Sequence, residues 1–379
     1  MSDLADQAYA AVLAGLDRMT VGRLDLLISG RPAAHAYQMV MGDRPPTGLI
    51  GQLFDTNGLL ATWRAAALRR PPEQMWEECL RLGITVLVRG TEEYPSMLSA
   101  DPAPAPVLFM RGSFTGLTGR RVGIVGTRNA TASGRDIATE MSRELATVGV
   151  HIVSGLARGI DGCSHRGALS VSGGAGPIGV VASGLDVVYP REHTALWNAV
   201  AECGALLSEV PPGTAPEPYR FPMRNRIIAG LSEVLLVVES RETGGSLITA
   251  TEAALRNVLV MAVPGAVRNR AARGTNDLIR DGCPIATDAR DVLVALGLDT
   301  RRAGPVAYDP RLRPSGTDAA VLAMCCEPRT LDQLAVSSGL ALAECAMSLA
   351  RLEFHGWVRQ ISGWFESTSG ATTRTGARW

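Results

Sequence analysis

The chain contains no lysine, so all 37 of its Lys-plus-Arg positions are arginines. A Walker A phosphate loop needs a lysine, and so does Schiff-base chemistry, so both are excluded. Arginine stays charged and binds phosphate through a fork of N–H donors, but it is a poor acid–base group. The cationic side chains therefore suit anion binding better than proton transfer.

The chain also lacks an excess of charge of either sign, because 37 Asp and Glu residues balance the arginines. A protein that coats duplex DNA through bulk charge is usually basic overall, so any nucleic-acid contact must come from local arginine clusters. Apolar runs such as Val234–Val238 are too short to cross a bilayer. The N-terminus, Met1–Leu4, lacks the basic start of a signal peptide. We expect a cytoplasmic protein without membrane contact.

Two further signals are missing, those of cysteine pairing and of dinucleotide binding. The seven cysteines are scattered, and none belongs to a C-x-x-C motif. Such a set indicates buried thiols in a reducing compartment, not disulfides or zinc. The first predicted strand–helix loop, Gly123–Asn129, does not carry G-x-G-x-x-G, and Ser154-Gly155 stands where a dinucleotide fold would place an acid. We therefore expect no cofactor and no bound metal.

A length of 379 residues predicts two or three domains. Residues 1–75 predict several short helices, because apolar residues recur at helical spacing, with the Gly-containing turn Met19–Arg23 between two of them. Such a turn is typical of a helix-hairpin-helix or sterile-alpha-motif-like module that presents backbone N–H groups to a DNA phosphate. It is equally typical of a small packing domain, and the sequence leaves both interpretations open.

Residues 76–298 predict an α/β domain. Ile84–Val88 and Val107–Met110 lead into it, and we expect this connector to add an edge strand. From about residue 120 onward, fully apolar strands alternate with helices, which predicts a doubly wound parallel sheet. Ligands bind such sheets in the loops at the carboxyl ends of the strands. Those loops are therefore the place to look for function.

Five loops at that predicted edge have the composition of phosphate-binding turns. They are rich in Gly and Ser, and several lead into helices, whose N-terminal amides attract anions. Together with the arginines among them, they indicate one phosphate-lined groove. The candidate residues in these loops are Gly126, Thr127, Arg128, Ser154, Gly155, Gly184, Gly245 and Ser246.

The stretch Tyr219–Gly230 holds three arginines, two aromatic rings and no acid. Pro222 suits a first helical position, since its missing N–H would be unpaired there. We expect Arg224 and Arg226 to open this helix beside an anion, and Phe221 to offer a ring on which a base stacks. An alternative role for Arg224 is structural, as it is for Asn225, by tying the helix start to neighbouring loops. The candidates here are Arg220, Phe221, Arg224, Asn225 and Arg226.

The C-terminal part predicts a linker over 299–316, a winged helix over 317–368 and a disordered tail over 369–379. The winged-helix form suggests duplex DNA. Its candidate recognition helix, Leu342–Glu353, sets Glu344 and Glu353 against Arg351. We therefore favour a protein-contact or structural role for this domain.

Taken in order, the loop motifs resemble the DNA-processing protein A (DprA/Smf) family. The matching stretches are 126–128, 154–161, 184–190, 208–213, 221–232 and 245–250. The resemblance implies an extended Rossmann-like domain that binds single-stranded DNA without sequence preference. It also implies protection of incoming strands in natural transformation, loading of the RecA recombinase, a homodimer formed through the Rossmann domain, and no catalysis.

The resemblance also implies which residues hold the DNA. Matched by position, they are Arg128, Gly184, Arg220, Phe221, Arg224 and Asn225. Arg220 departs from the family pattern, which often has a lysine near this point. That departure leaves its role open.

Other functions compete with DNA binding. Related Rossmann-like folds hydrolyse nucleotide monophosphates with a glutamate beside a Gly-Gly turn, for which Glu252 is the candidate. A Ser154–His165–Asp161 triad would need Ser154 to face His165, which nothing in the sequence requires. A winged-helix regulator with a ligand-sensing domain would need sequence-selective duplex binding, which the balanced recognition helix opposes.

Overall fold

The structure is a computed structural model that describes residues 4–42, 46, 48–54, 58–298 and 314–368. The chain divides into two compact units, Met1–Asp299 and Thr300–Trp379. Residues 299–313 of the predicted linker and the predicted tail, 369–379, lie outside the described residues.

An eight-stranded sheet forms the centre of the first unit, in the spatial order β1-β2-β6-β5-β4-β3-β7-β8. Strands β2 to β8 pair in parallel except for β2–β6, and β1–β2 is also antiparallel. The strands are β1 Ile84–Val88, β2 Val107–Gly112, β3 Arg120–Val125, β4 Val150–Ser154, β5 Ile178–Val180, β6 Ala205–Ser208, β7 Val234–Val237 and β8 Leu259–Ala262. The predicted doubly wound sheet is confirmed, with two antiparallel strands at its edge where one was expected.

Among the described residues before the sheet, six helices share a hydrophobic cluster with it. They are α1 Asp6–Ala14, α2 Val21–Ile28, α3 Ala33–Met41, α4 Gly48–Phe54, α5 Leu59–Arg69 and α6 Pro72–Arg81. Trp63 of α5 belongs to the same buried cluster as Phe109 of β2 and Trp197. These helices and the sheet therefore pack as one unit, while the boundary at residue 75 stays a prediction.

The remaining helices of the first unit alternate with the strands. They are α7 Ser96–Ser99, α8 Thr115–Thr118, α9 Ala132–Thr147, α10 Ile160–Leu169, α11 Thr194–Cys203, α12 Arg220–Leu231, α13 Gly245–Ala254, α14 Arg273–Arg280 and α15 Ala289–Ala295. Successive side chains of a strand point to opposite faces. Ile124 therefore packs in one cluster with Leu145 of α9, and Val125 in another with Ile227 of α12. This places α9 and α12 on opposite faces of the sheet.

The second unit is the predicted winged helix. It contains α16 Gly316–Met324, β9 Arg329–Thr330, α17 Leu331–Ser338, α18 Leu342–Phe354, β10 Val358–Ile361 and β11 Trp364–Ser367. Thr330 starts α17 through a capping box with Gln333, which satisfies two backbone N–H groups. Val321, Leu334 and Leu349 meet in its core.

Within the described residues, no single helix has the length and apolarity to cross a membrane. Helices α17 and α18 meet that criterion only as a pair, and they are bent by 111° relative to each other. Leu334 and Leu349, one from each helix, are buried in the core of their own unit.

Candidate nucleic-acid interface

A groove of about 660 Å³ opens beyond the carboxyl ends of β3 and β7. At this pair the chain reverses its winding, because β4 lies on one side of β3 and β7 on the other. Doubly wound sheets bind their ligands at such a switch point. We call this cavity the switch groove. The predicted residues that line it are Gly126, Thr127, Arg128, Phe221, Arg224, Asn225, Gly245 and Ser246.

The exposed Arg128 and the half-buried Phe221 lie side by side in the switch groove. The Arg128 guanidinium lies over the Phe221 ring, 5.1 Å from its centroid. The ring of Tyr189 lies 5.5 Å from that of Phe221, tilted by 50°. Arg128 is exposed and forms no salt bridge within the described part of the chain. A cation and an aromatic face thus lie side by side, as binding of an unpaired nucleotide requires.

Arg241 is a second exposed arginine of the switch groove, and the sequence analysis did not select it. Like Arg128, it makes no salt bridge to any residue that the structure describes. Tyr189 and Thr243 also line the groove and were also missed. A signal was present, because all three stand in loops that follow predicted strands. The sequence analysis identified these loops, but it did not identify which of their side chains line the groove.

The N-terminus of α13 faces the switch groove and has no side-chain cap. The helix begins at Gly245, and Gly244 precedes it without a capping side chain. Ser246 donates its hydroxyl to Ser240 Oγ at 2.8 Å, so it also leaves the helix amides free of side-chain acceptors. Uncapped N-terminal amides carry a partial positive charge and attract anions. The predicted anion position at Gly245-Ser246 therefore has suitable geometry.

The N-terminus of α9 is different, because an acid of the chain already occupies it. The loop that holds Thr127 and Arg128 was expected to place a phosphate at this helix start. The buried Glu239 carboxylate is already there, accepting the Thr131 N–H at 2.9 Å and the Thr131 hydroxyl at 2.5 Å. A carboxylate at that end of the helix repels a second anion. Phosphate binding is thereby directed to the α13 side of the groove.

Arg224 lies at the floor of the switch groove and is buried. Its Nη1 donates to the Gly155 carbonyl at 2.8 Å and also to the Val180 carbonyl. Burial lowers the pKa of Arg224 to about 10, while the nearby Asp161 opposes this shift, so the guanidinium is charged at neutral pH. Burial likewise raises the pKa of Asp161, which accepts the Gly155 N–H at 3.1 Å. The structural alternative for Arg224 thus has direct support.

Helix α12 starts earlier than the sequence analysis expected. It begins at Arg220, so Pro222 is its third residue, where a missing N–H is still harmless. Arg224 and Arg226 therefore lie in the second turn instead of opening the helix, and both are buried.

Arg226 does not line the switch groove. Its Nη1 donates to the Ala103 carbonyl at 2.7 Å, and its Nη2 pairs with the Glu209 carboxylate. Arg226 is buried and Glu209 is partly buried, and the carboxylate neutralises the guanidinium. The prediction that Arg226 faces an anion beside Arg224 is wrong for this reason.

Ser154 is also outside the groove, and the imagined triad does not assemble. The Ser154 hydroxyl is buried and donates to the Ile124 carbonyl at 2.6 Å, linking β4 to β3. His165 is fully buried, and desolvation lowers its pKa to about 3. Asp161 binds its own loop through Gly155. Each residue thus has a local role, and none activates Ser154.

Three predicted glycines are required by packing. A Cβ at Gly126 would lie 2.5 Å from Ile160, and one at Gly155 would lie 2.5 Å from the Arg224 guanidinium. A Cβ at Gly184, which lies outside the groove lining, would come within 2.8 Å of the Pro211 carbonyl oxygen. At Gly245, by contrast, a Cβ would meet nothing within 4 Å. Of these positions, only Gly245 borders open space.

Arg220 faces a different cavity. It lines a second space on another side of α12, and its guanidinium lies over the Tyr219 ring at 5.1 Å. The expectation that it shares the groove with Phe221 is therefore corrected, because successive helical residues point about 100° apart.

Glu252, the candidate of the nucleotide-hydrolase alternative, does not line the switch groove. Its carboxylate pairs with Arg256, which also binds Asp101 through two N–H donors at 2.7 and 2.9 Å. Asp161 is the one acid in the groove lining that the structure describes, and it is buried. The groove thus offers no exposed carboxylate for acid–base catalysis among these residues.

Known proteins share both parts of the chain. Residues 85–297 match the family model of DNA recombination-mediator protein A, and residues 307–363 match that of the DprA winged helix domain. The DNA processing protein DprA of Bacillus subtilis is 42% identical over 241 residues, which cover 62% of this chain and 80% of the relative.

Solved structures agree with these matches. The X-ray structure of DprA from Streptococcus pneumoniae has a TM-score of 0.63 at 28% identity, covering 77% of this chain and 98% of that one. A structure of DprA from Helicobacter pylori, described as revealing its single-stranded DNA binding mode, has a TM-score of 0.52 at 27% identity. It covers 57% of this chain and 96% of its own. The chain therefore belongs to the DprA/Smf family of DNA processing proteins.

Proposed function

We propose that this protein binds single-stranded DNA without sequence preference, that it does so without catalysis, and that the switch groove is the binding site. One observation carries the proposal: two arginines that form no salt bridge with any described residue, an uncapped helix N-terminus and a pair of aromatic rings converge on one groove. Arg128, Arg241 and the amides at Gly245 take backbone phosphates. Phe221 and Tyr189 take bases.

The aromatic pair favours single strands over duplexes. In a duplex, neighbouring base pairs cover both faces of a base, so only an unpaired base offers a face to the Phe221 ring. Guanidinium–phosphate and ring–base contacts involve features common to all nucleotides. Binding at this groove is therefore expected to tolerate any sequence.

Family membership supports the finer part of the proposal. We infer that bound strands are shielded during natural transformation and passed to the RecA recombinase, and that the protein acts as a homodimer. The relative from Helicobacter pylori, described as binding single-stranded DNA, supports the ligand.

For the winged helix we propose a structural or protein-contact role. Arg351 of α18 is held by Asp318 at 2.6 Å, so the one arginine of this helix is already paired. Glu344 and Glu353 of the same helix would repel phosphates. The half-exposed Met347 and exposed Phe354 offer apolar surface instead.

Binding of matched single- and double-stranded oligonucleotides at two salt concentrations tests the ligand. The single strand is expected to bind more tightly, and its affinity is expected to fall with salt by about 0.7 log units per log unit for each phosphate contact. Fluorescence anisotropy measures both quantities. Equal affinity for the duplex, or binding that salt does not change, would contradict the proposal.

Replacing Phe221 with alanine tests the stacking contact. The affinity for oligo-dT is expected to fall by about 1–3 kcal/mol, the usual contribution of one base–aromatic stack. Phe221→Tyr is the matched control and is expected to bind like the unmodified protein. Equal affinity of the alanine variant, measured by the same anisotropy titration, would show that the ring does not stack on a base.

A further inference from the structure

A second cavity, of about 390 Å³, lies beside the start of α12. Its walls are the turn between α1 and α2, the ends of β5 and β6, and a side of α12 that shares only Arg224 with the switch groove. Tyr219, Arg220, Met223 and Ile227 line this space, whereas Phe221, Asn225 and Ile228 line the groove. Both sets follow helical spacing on one helix. We call this cavity the α12 crevice.

The α12 crevice combines an apolar floor with a polarisable rim. Val107, Val181 and Ile227 are buried in its floor. At the rim, Tyr219 is 54% exposed and Met223 is 40% exposed. A flat ring can rest on such a surface, since aromatic and thioether groups favour contact with π systems.

The charges at the α12 crevice leave it cationic. Of its acids, Asp17 pairs with Arg69 at 3.6 Å and Glu209 pairs with the buried Arg226. Besides the buried Arg224, the crevice arginines are Arg18 and Arg220, and these two take part in no salt bridge among the described residues. The Glu217 carboxylate balances only one of these two cations, so the crevice has a net positive charge.

Arg220 gives a more specific indication of what the crevice binds. Its Nε is buried, and it has no hydrogen-bond partner in the described structure. A buried donor on a charged group normally has an acceptor. A turn of the Arg220 side chain would bring this donor to a phosphate oxygen in the crevice, while the neighbouring Tyr219 ring would lie against a base.

We propose that the α12 crevice is a further nucleotide subsite for the strand held in the switch groove. The strand leaves Phe221, crosses the first turn of α12 and places its next phosphate between Arg220 and Arg18. The two sites are contiguous, because Arg220 and Phe221 are consecutive and Arg224 lines both cavities. This inference rests on the proposed single-stranded DNA binding and extends its footprint.

Affinity for oligo-dT as a function of length tests the subsite. Lengths from roughly four to sixteen nucleotides cover the usual range of single-strand sites. The unmodified protein is expected to gain affinity as the strand reaches the crevice. The Arg18→Ala/Tyr219→Ala variant is expected to lose about ten-fold on long strands and nothing on the shortest, because the shortest fill only the groove. Arg128→Ala is expected to weaken binding at every length.

The outcomes separate the two proposals. If the crevice variant matches the unmodified protein at every length while Arg128→Ala binds weakly, the subsite is overturned and the groove stands. If Arg128→Ala also binds normally, the proposed function fails at its site. Both crevice residues are exposed, and an unchanged melting temperature confirms that the variant is folded.

Photocrosslinking locates the strand directly. An oligonucleotide carrying iododeoxyuridine is expected to crosslink to Tyr219 or Met223 in its long form and only to groove residues in its short form. Crosslinks confined to the groove at all lengths would overturn the subsite. Free iododeoxyuridine monophosphate is the second arm: if it crosslinks to Tyr219 or Met223 while the long oligonucleotide crosslinks only in the groove, the crevice takes a free nucleotide and not the strand.

Discussion

Replacing both Arg128 and Arg241 with alanine is expected to weaken oligo-dT binding by at least about 100-fold at low salt. Each charged hydrogen bond contributes about 1.5–3 kcal/mol, and here both donors are exposed and have no competing salt bridge in the part of the chain that the structure describes. The salt dependence is expected to become shallower by about 0.7 for each phosphate that the variant no longer neutralises. Anisotropy titrations at several salt concentrations measure both effects.

Arg143 and Arg280 provide matched controls for the double variant. Both are exposed arginines, and both pair with a neighbour on their own helix, Glu140 and Asp277 respectively. Their double alanine variant removes the same net charge at positions outside the groove lining. A similar loss of affinity in the control would assign binding to bulk charge. Unchanged affinity in Arg128→Ala/Arg241→Ala would reject the switch groove as the binding site.

The sequence predicted only part of the convergence of Arg128 and Arg241. Arg128 follows β3 and Arg241 follows β7, and the carboxyl ends of parallel strands share one edge of the sheet. The pattern of apolar strands therefore predicted that these loops meet. It did not reveal which arginines are free, because that depends on distant carboxylates. Arg226 looked equivalent until its partner, Glu209, was placed beside it.

Helix N-termini show the same limit. The turns before α9 and α13 are both rich in small residues, and both suggest anion binding by composition. At α9 the anion is already present, as Glu239, which comes from the end of another strand 108 residues away. Local sequence thus predicts the form of a turn, whereas tertiary contacts decide whether its amides are available.

The fold was predictable where burial alone decides it. Strands β3 to β8 are apolar because helices cover both faces of the sheet, and their sequences show this directly. The pairing of β2 with β6 is antiparallel and joins strands almost one hundred residues apart. The residue pattern of neither strand indicates the direction or the register of this pairing. The extra edge strand was therefore missed.

Arg224→Ala is expected to destabilise the first unit by about 3–5 kcal/mol, which is the usual cost of breaking a buried charged network. The change leaves the carbonyls of Gly155 and Val180 without their charged donor, and Asp161 without its neighbouring cation. Chemical denaturation followed by circular dichroism measures the loss. DNA binding is expected to fall too, because Gly155 and α12 position the floor of the groove.

Asn225→Ala separates stability from binding. Asn225 is the next residue on α12 and lies in the wall of the switch groove, but it is only partly buried. Its replacement is expected to change the free energy of unfolding by no more than about 1 kcal/mol. If Arg224→Ala proves as stable as the Asn225 variant and yet fails to bind oligo-dT, the main role of Arg224 is to contact the DNA directly. In that case the guanidinium would have to turn from the carbonyls toward the strand. If the Arg224→Ala variant unfolds easily, the main role of Arg224 is to hold together the loops that position the other arginines.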